Sequence, residues 1–183
     1  MPPQVVIAQG WRAVLNESFA TAANGWTNAN NSQPLPVRRG ELWLAAGVRA
    51  QPRAVQPAIL LAEGFWGWRA EWQVLEPEAR LILNVQETEA GALQVRWAPD
   101  GHVEVIRWGV EAAPLVLGRA QAQTSLSLTF GVWLAQGQLT VFQGEAALLR
   151  VLVPVGEAGG FSLALEGTGA VVSVARFELS RPD

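Results

Sequence analysis

From Trp68 to Val74 every second residue is apolar: Trp68, Ala70, Trp72 and Val74 alternate with Arg69, Glu71 and Gln73. That period of two puts one set on each side of an extended chain, which predicts a strand with one face buried and the other wet. The pattern returns at Leu81, Leu83 and Val85, and again at Leu93, Val95 and Trp97. It returns once more where Leu126, Leu128, Phe130, Val132 and Leu134 alternate with Ser125, Ser127, Thr129, Gly131 and Trp133. Between these runs stand turn formers. Ala98-Pro99-Asp100-Gly101 leads into a strand from His102 to Trp108, and Gln136-Gly137 and Gln143-Gly144-Glu145 flank Leu139 to Phe142.

Further strand candidates are Gln4 to Ala8, Glu41 to Ala45, Phe161 to Leu165 and Val171 to Leu179, while Asn24-Gly25 and Asn31-Ser32-Gln33-Pro34 read as turns. Only Glu76 to Arg80 offers a helical turn. About a dozen short strands with regular turns predict an all-β sandwich or barrel. No repeat of solenoid or propeller length interrupts this reading. At 183 residues one domain suffices. The boundaries expected are an N-terminal extension or edge strand over 1–10 and a single β-sandwich over 11–183.

Composition excludes more than it specifies. Half the residues are apolar and 16% are charged, which argues against wholesale disorder. All 13 basic residues are Arg, but they form no stripe, so no nucleic-acid partner is expected. No run reaches the roughly 20 apolar residues of a membrane-spanning helix. Met1-Pro2-Pro3 carries no basic region or cleavage site, so an export signal would have to lie outside this chain.

The order Phe19…Gly25-Trp26, the strand Trp68 to Leu75, Asp100-Gly101 between two strands, Leu139 to Gly144, Gly160 to Leu163 and Val174 to Leu179 carries a resemblance. It is similar to the concanavalin A-like lectin/glucanase jelly rolls, and within them to the laminin-G-like and glucan-hydrolase-like modules of bacterial surface proteins. The resemblance implies a two-sheet antiparallel jelly-roll sandwich, a carbohydrate site on a concave sheet face, and first and last strands that lie close together. It also implies a place outside the cell or on its surface.

Catalysis finds few residues to carry it. With no Cys and one His, thiolate chemistry and zinc are excluded, and a Ser-His-acid triad would have to use His102 beside a hairpin tip. The glucanases of the resembled group carry a Glu-x-Asp-x-x-Glu run, which this sequence lacks. Glu76-Pro77-Glu78 and Glu87-Thr88-Glu89 each put two carboxylates on one side of an extended segment, but beside turn residues. The expectation is therefore a chain that is not an enzyme. No cofactor is expected; a structural calcium ion would have to use the Asn24 to Asn31 loop, which brings amide oxygens but no carboxylate nearer than Glu17.

Nine Trp residues remain. Alternation sets Trp66, Trp68 and Trp72 on one face, where they can pack a core or stack on sugar rings. Trp66, between Phe65 and Gly67, is read as nearer a strand end and therefore at the surface. Trp108 and Trp133 fall out of phase with the apolar stripes. Trp66, Trp108 and Trp133, with Arg69, make the candidate ligand-binding set for a glycan or protein partner. Val5, Val6 and Ile7 make the alternative, a strand adding to a neighbouring copy in a self-assembling fibre or surface layer.

Overall fold

The alternating strands expose an apolar stripe that must be covered, and the chain covers it with a second sheet of the same kind. The computed structural model describes residues 11–19, 25–52, 61–109, 112–154 and 158–182. Among them run β1 (Trp11–Glu17), β2 (Trp26–Asn28), β3 (Val37–Arg38), β4 (Glu41–Ala45), β5 (Arg49–Pro52), β6 (Gly64–Val74), β7 (Arg80–Thr88) and β8 (Gly91–Trp97). They continue with β9 (His102–Gly109), β10 (Ala112–Gln121), β11 (Ser127–Ala135), β12 (Gln138–Gln143), β13 (Ala146–Leu152), β14 (Gly160–Glu166) and β15 (Val171–Pro182).

One sheet of eight strands has the order β13-β12-β11-β6-β15-β4-β3, with β1 beside the far half of β15. The other has seven, in the order β10-β9-β8-β7-β14-β5-β2. All the pairings are antiparallel, and the crossing connections between the two sheets make this a concanavalin A-like jelly-roll sandwich. First and last described strands pair directly, Trp11 opposite Pro182 and Glu17 opposite Phe177.

Between the sheets lies an aromatic spine. Trp68 meets Trp97 edge-on at 4.8 Å, Trp26 meets Phe177 at 5.2 Å, and Phe161 stacks on Phe177 at 5.6 Å. Each such ring buries roughly 150–250 Å² and prefers these offset or edge-on geometries. Trp72 closes the same core.

The structure adds strands that the sequence pattern does not mark, among them β2, β3, β5, β10 and β13. Glu76 to Arg80, where a helical turn is expected, holds a single turn closed by Ala79 N–H on Glu76 O at 2.9 Å and no longer helix. Strand β10 was not anticipated, because Pro114 and Gly118 break its alternation. It survives as the outermost strand of its sheet, where only one neighbour needs its N–H groups and register shifts are tolerated. The proposed assembly strand, Val5, Val6 and Ile7, lies outside the described residues.

Candidate functional site on the seven-stranded sheet

The four candidate ligand residues do not come together. Trp66 is wholly buried, and the expectation that it sits at the surface is corrected. It does lie near the start of its strand, but that strand is interior to the sheet, and Trp66 is flanked by Val132 on β11 and Leu179 on β15. Its indole folds back over Gly64, where a Cβ would lie 2.8 Å from the ring. Trp133 is 36% exposed and does face outward from the eight-stranded sheet, edge-on to Trp11 at 6.3 Å. Arg69 shares that outer face but stands two rows away, with Gly67 and Gly131 between. Trp108, 40% exposed, belongs to the other sheet altogether.

Trp108 has company there that the sequence reading missed. On the outward side of the seven-stranded sheet, Ser162, Asn84, Gln94 and Ile106 stand opposite one another across β14, β7, β8 and β9. Trp108 and Ala92 form the next row toward one end of the strands, and Glu104 and Arg96 the next toward the other. Ser162 and Asn84 are buried although they point away from the core, and so are Ile82 and Ile106.

The polar groups form one directed relay. Arg96 donates to Gln94 Oε1 from Nε at 3.0 Å and from Nη2 at 2.6 Å. Gln94 Nε2 donates to Asn84 Oδ1 at 2.8 Å, and Asn84 Nδ2 to Ser162 Oγ at 2.9 Å. The Ser162 hydroxyl in turn donates to Glu87 Oε2 at 2.9 Å, while Arg49 donates to Ser162 Oγ at 3.1 Å and pairs with Glu87. Each side chain is thereby held in one orientation, which is what a binding surface requires of its polar groups.

Glu87 reaches this face only through a bulge. Simple alternation from Leu83 and Val85 would send it into the core. Gln86 instead adopts a positive φ of 50°, the register shifts between Val85 and Thr88, and the Glu87 carboxylate emerges beside Ser162. Farther along, Glu104 accepts from Arg119 Nε at 2.7 Å and lies 3.3 Å from His102 Nε2. Burial works to raise the Glu104 carboxyl, but hydrogen bonds from Arg119 and His102 and their charge outweigh it and hold it below the ordinary glutamate range. His102 is thus tied to Glu104 at the end of its hairpin.

Other sequence candidates serve the fold. Glu76 accepts from the Thr168 backbone N–H at 3.0 Å and hydroxyl at 2.9 Å, fastening the loop before β15. In the Asn-rich loop the Asn28 and Asn31 side-chain oxygens accept backbone N–H groups from Asn30 and Gln33. Among the described residues no group of three or more His, Cys, Asp or Glu is placed to hold a metal ion. Among the described residues no helix is long and apolar enough to cross a membrane.

No protein-family model and no curated protein matches this sequence. Solved structures do match its fold. A prokaryotic β-1,3-1,4-glucanase (lichenase) from a mouse hindgut metagenome superposes with a TM-score of 0.65 at 10% identity, over 90% of this chain and 97% of that one. The GH43 protein BlXynB of Bacillus licheniformis matches with a TM-score of 0.63 at 11% identity, over 94% of this chain but only 39% of its own length. The carbohydrate-binding module CBM66 of Bacillus subtilis matches with a TM-score of 0.54 at 10% identity, over 91% of this chain and 94% of that one. At such identity the likeness establishes the frame, a concanavalin A-like jelly roll.

It also corrects the expectation that the chain is not an enzyme. The similar structures are mostly glycoside hydrolases, with a transglycosylase among them. A frame that carries catalysis in those proteins gives no ground for excluding it here from a missing sequence run.

Proposed function

We propose that this domain recognises carbohydrate on the outward face of its seven-stranded sheet. The observation that carries the reading is the position of Trp108, one row from Gln94 and Ile106 at the end of the polar relay. An exposed indole offers its flat surface to the C–H face of a sugar ring, and Gln94, held in one orientation by Arg96 and Asn84, keeps a second amide N–H for its hydroxyls. The likeness to a carbohydrate-binding module and to glucanases supports the same reading. Glycans presented outside cells are the partners this reading implies, and with them a place of action outside the cell or at its surface.

The test is tryptophan fluorescence titrated with a panel of neutral and acidic oligosaccharides, with release of reducing ends followed in the same samples. Trp108→Ala and Gln94→Ala each weaken binding by about tenfold or more, equivalent to ~1.4 kcal/mol. Trp133→Ala and Arg69→Ala, on the opposite sheet, leave it unchanged. A flat titration across the panel would sink the proposal. Reducing-end release that disappears in Glu87→Gln or Glu104→Gln would show that the bound glycan is also cleaved.

A further inference from the structure

The hydrogen-bonding groups left over on the outward side of the seven-stranded sheet are not spread evenly. Toward β14 and β7 they are spent. Ser162 and Asn84 are 1% and 5% exposed, and both ends of the Asn84 amide are taken, by Gln94 and by Ser162. The Glu87 carboxylate is occupied by Ser162 and Arg49.

Uncommitted groups gather along β9 instead. Trp108, Ile106 and Glu104 hold alternate positions of that strand, all outward, with Ala92, Gln94 and Arg96 opposite them on β8. Gln94 keeps one amide N–H beyond the one it gives Asn84. Glu104 uses Oε1 for both Arg119 Nε and His102 Nε2, and among the described residues its Oε2 has no partner. Arg119, with a side chain 61% exposed, commits Nε to that bond and keeps Nη1 and Nη2. Between Trp108 and this pair lies an apolar floor, Ile106 with Val116 opposite it on β10.

Two further features limit what fits. Arg49 meets Glu87, Arg96 meets Glu166 and Arg119 meets Glu104, so none of these three guanidiniums is left bare to draw an acidic sugar. From Trp108 to Glu104 the strand advances four residues, roughly 13 Å at the usual rise of a strand and farther than one sugar ring reaches. Strand β9 is paired on both sides, with β8 and β10, which holds the two ends at a fixed separation before a ligand arrives.

We propose that the ligand of this face is an extended neutral oligosaccharide laid along β9, one ring on the Trp108 indole and another presenting adjacent hydroxyls to the Glu104–Arg119 pair. Glu104 Oε2 accepts from one hydroxyl while an Arg119 Nη–H donates to its neighbour, and such charge-assisted bonds are stronger than those between neutral groups. Trp108 anchors the chain, and Glu104 and Arg119 select it. This rests on the glycan reading above and specifies the sugar class and the direction in which the chain runs.

The experiment titrates the protein calorimetrically with oligosaccharides of cellulose, mannan and xylan, from the single sugar to the hexamer, beside oligogalacturonides of the same lengths. For at least one neutral series the affinity rises about tenfold or more from the single sugar to the tetramer and exceeds that of the acidic series. Arg119→Ala and Glu104→Gln each flatten the rise, while Arg119→Lys restores part of it. A protein that binds sugars with an affinity independent of length overturns this inference and leaves the glycan reading standing. A rise that survives Arg119→Ala and Glu104→Gln in folded protein overturns the role of the pair, because a merely structural part would weaken every length alike. Oligogalacturonides binding tighter than every neutral series overturn the assignment of a neutral sugar. No binding of any sugar overturns both readings.

Discussion

The Asn84 side-chain amide donates to the Ser162 hydroxyl at 2.9 Å, joining two adjacent strands on the outward side of the sheet at positions that are almost fully buried. Because Ser162 also donates to Glu87 and accepts from Arg49, the pair is the junction of the whole relay.

Removing the junction strands buried polar atoms. Ser162→Ala leaves the Asn84 amide without its acceptor and Glu87 Oε2 without the hydroxyl, Arg49 still pairing with that carboxylate, at a cost of about 1–3 kcal/mol. Urea denaturation measures it. A loss as small as that of an exposed serine would show that the relay holds nothing in place.

The correction at Trp66 has a thermodynamic signature. Trp66→Ala empties a site in the middle of the sandwich and costs about 3–5 kcal/mol, if the variant folds at all. Trp133→Ala, on the outer face with one ring neighbour, costs ~1 kcal/mol. Paired thermal melts give the ranking, and similar losses would contradict the burial difference.

Acid should act through Glu104. Its carboxyl titrates lower in the folded protein than in the unfolded chain, so the folded state binds fewer protons there. The stabilisation is complete above the ordinary glutamate value of roughly 4.3 and is lost as pH falls through the depressed native value. The gap in urea midpoint between the native protein and Glu104→Gln is therefore wide at pH 7 and narrow at pH 3. A gap of constant size would rule this linkage out.

Gly91 can be tested alone. Its φ of 148° and the Trp108 carbonyl at 2.1 Å from any Cβ leave no space for a side chain, and the obstacle is backbone. Gly91→Ala costs about 1–3 kcal/mol and displaces β9 from β8. Loss of sugar binding accompanies the loss of stability, because Trp108 rides on that strand. A stable variant with native binding would show that the strands can separate freely there.

Much of the frame could be read from local pattern. The register of β6, β8 and β11 follows from alternation alone, because a strand with one buried face tolerates no slip without turning its tryptophans into water. The site was less legible. Gln94 and Arg96 could have been found, since alternation with Leu93, Val95 and Trp97 already sends them outward. Arg49 and Ser162 could not, because they lie on β5 and β14, far apart in sequence, and meet only when the chain crosses between sheets.

The sequence by itself determined that this chain forms strands, which side of each is apolar, and that the apolar sides require a second sheet. Those are consequences of a period of two and of the burial of large rings. Only the tertiary structure decided where each aromatic ends up. Trp66 went inward because Gly64 leaves room for its ring and two strands cover it, and Trp108 stayed outside at the end of its sheet. The bulge at Gln86 decided the rest, turning Glu87 from the core side to the polar relay. A one-residue shift in register reverses the face of every following side chain, and it depends on neighbours that no local pattern contains.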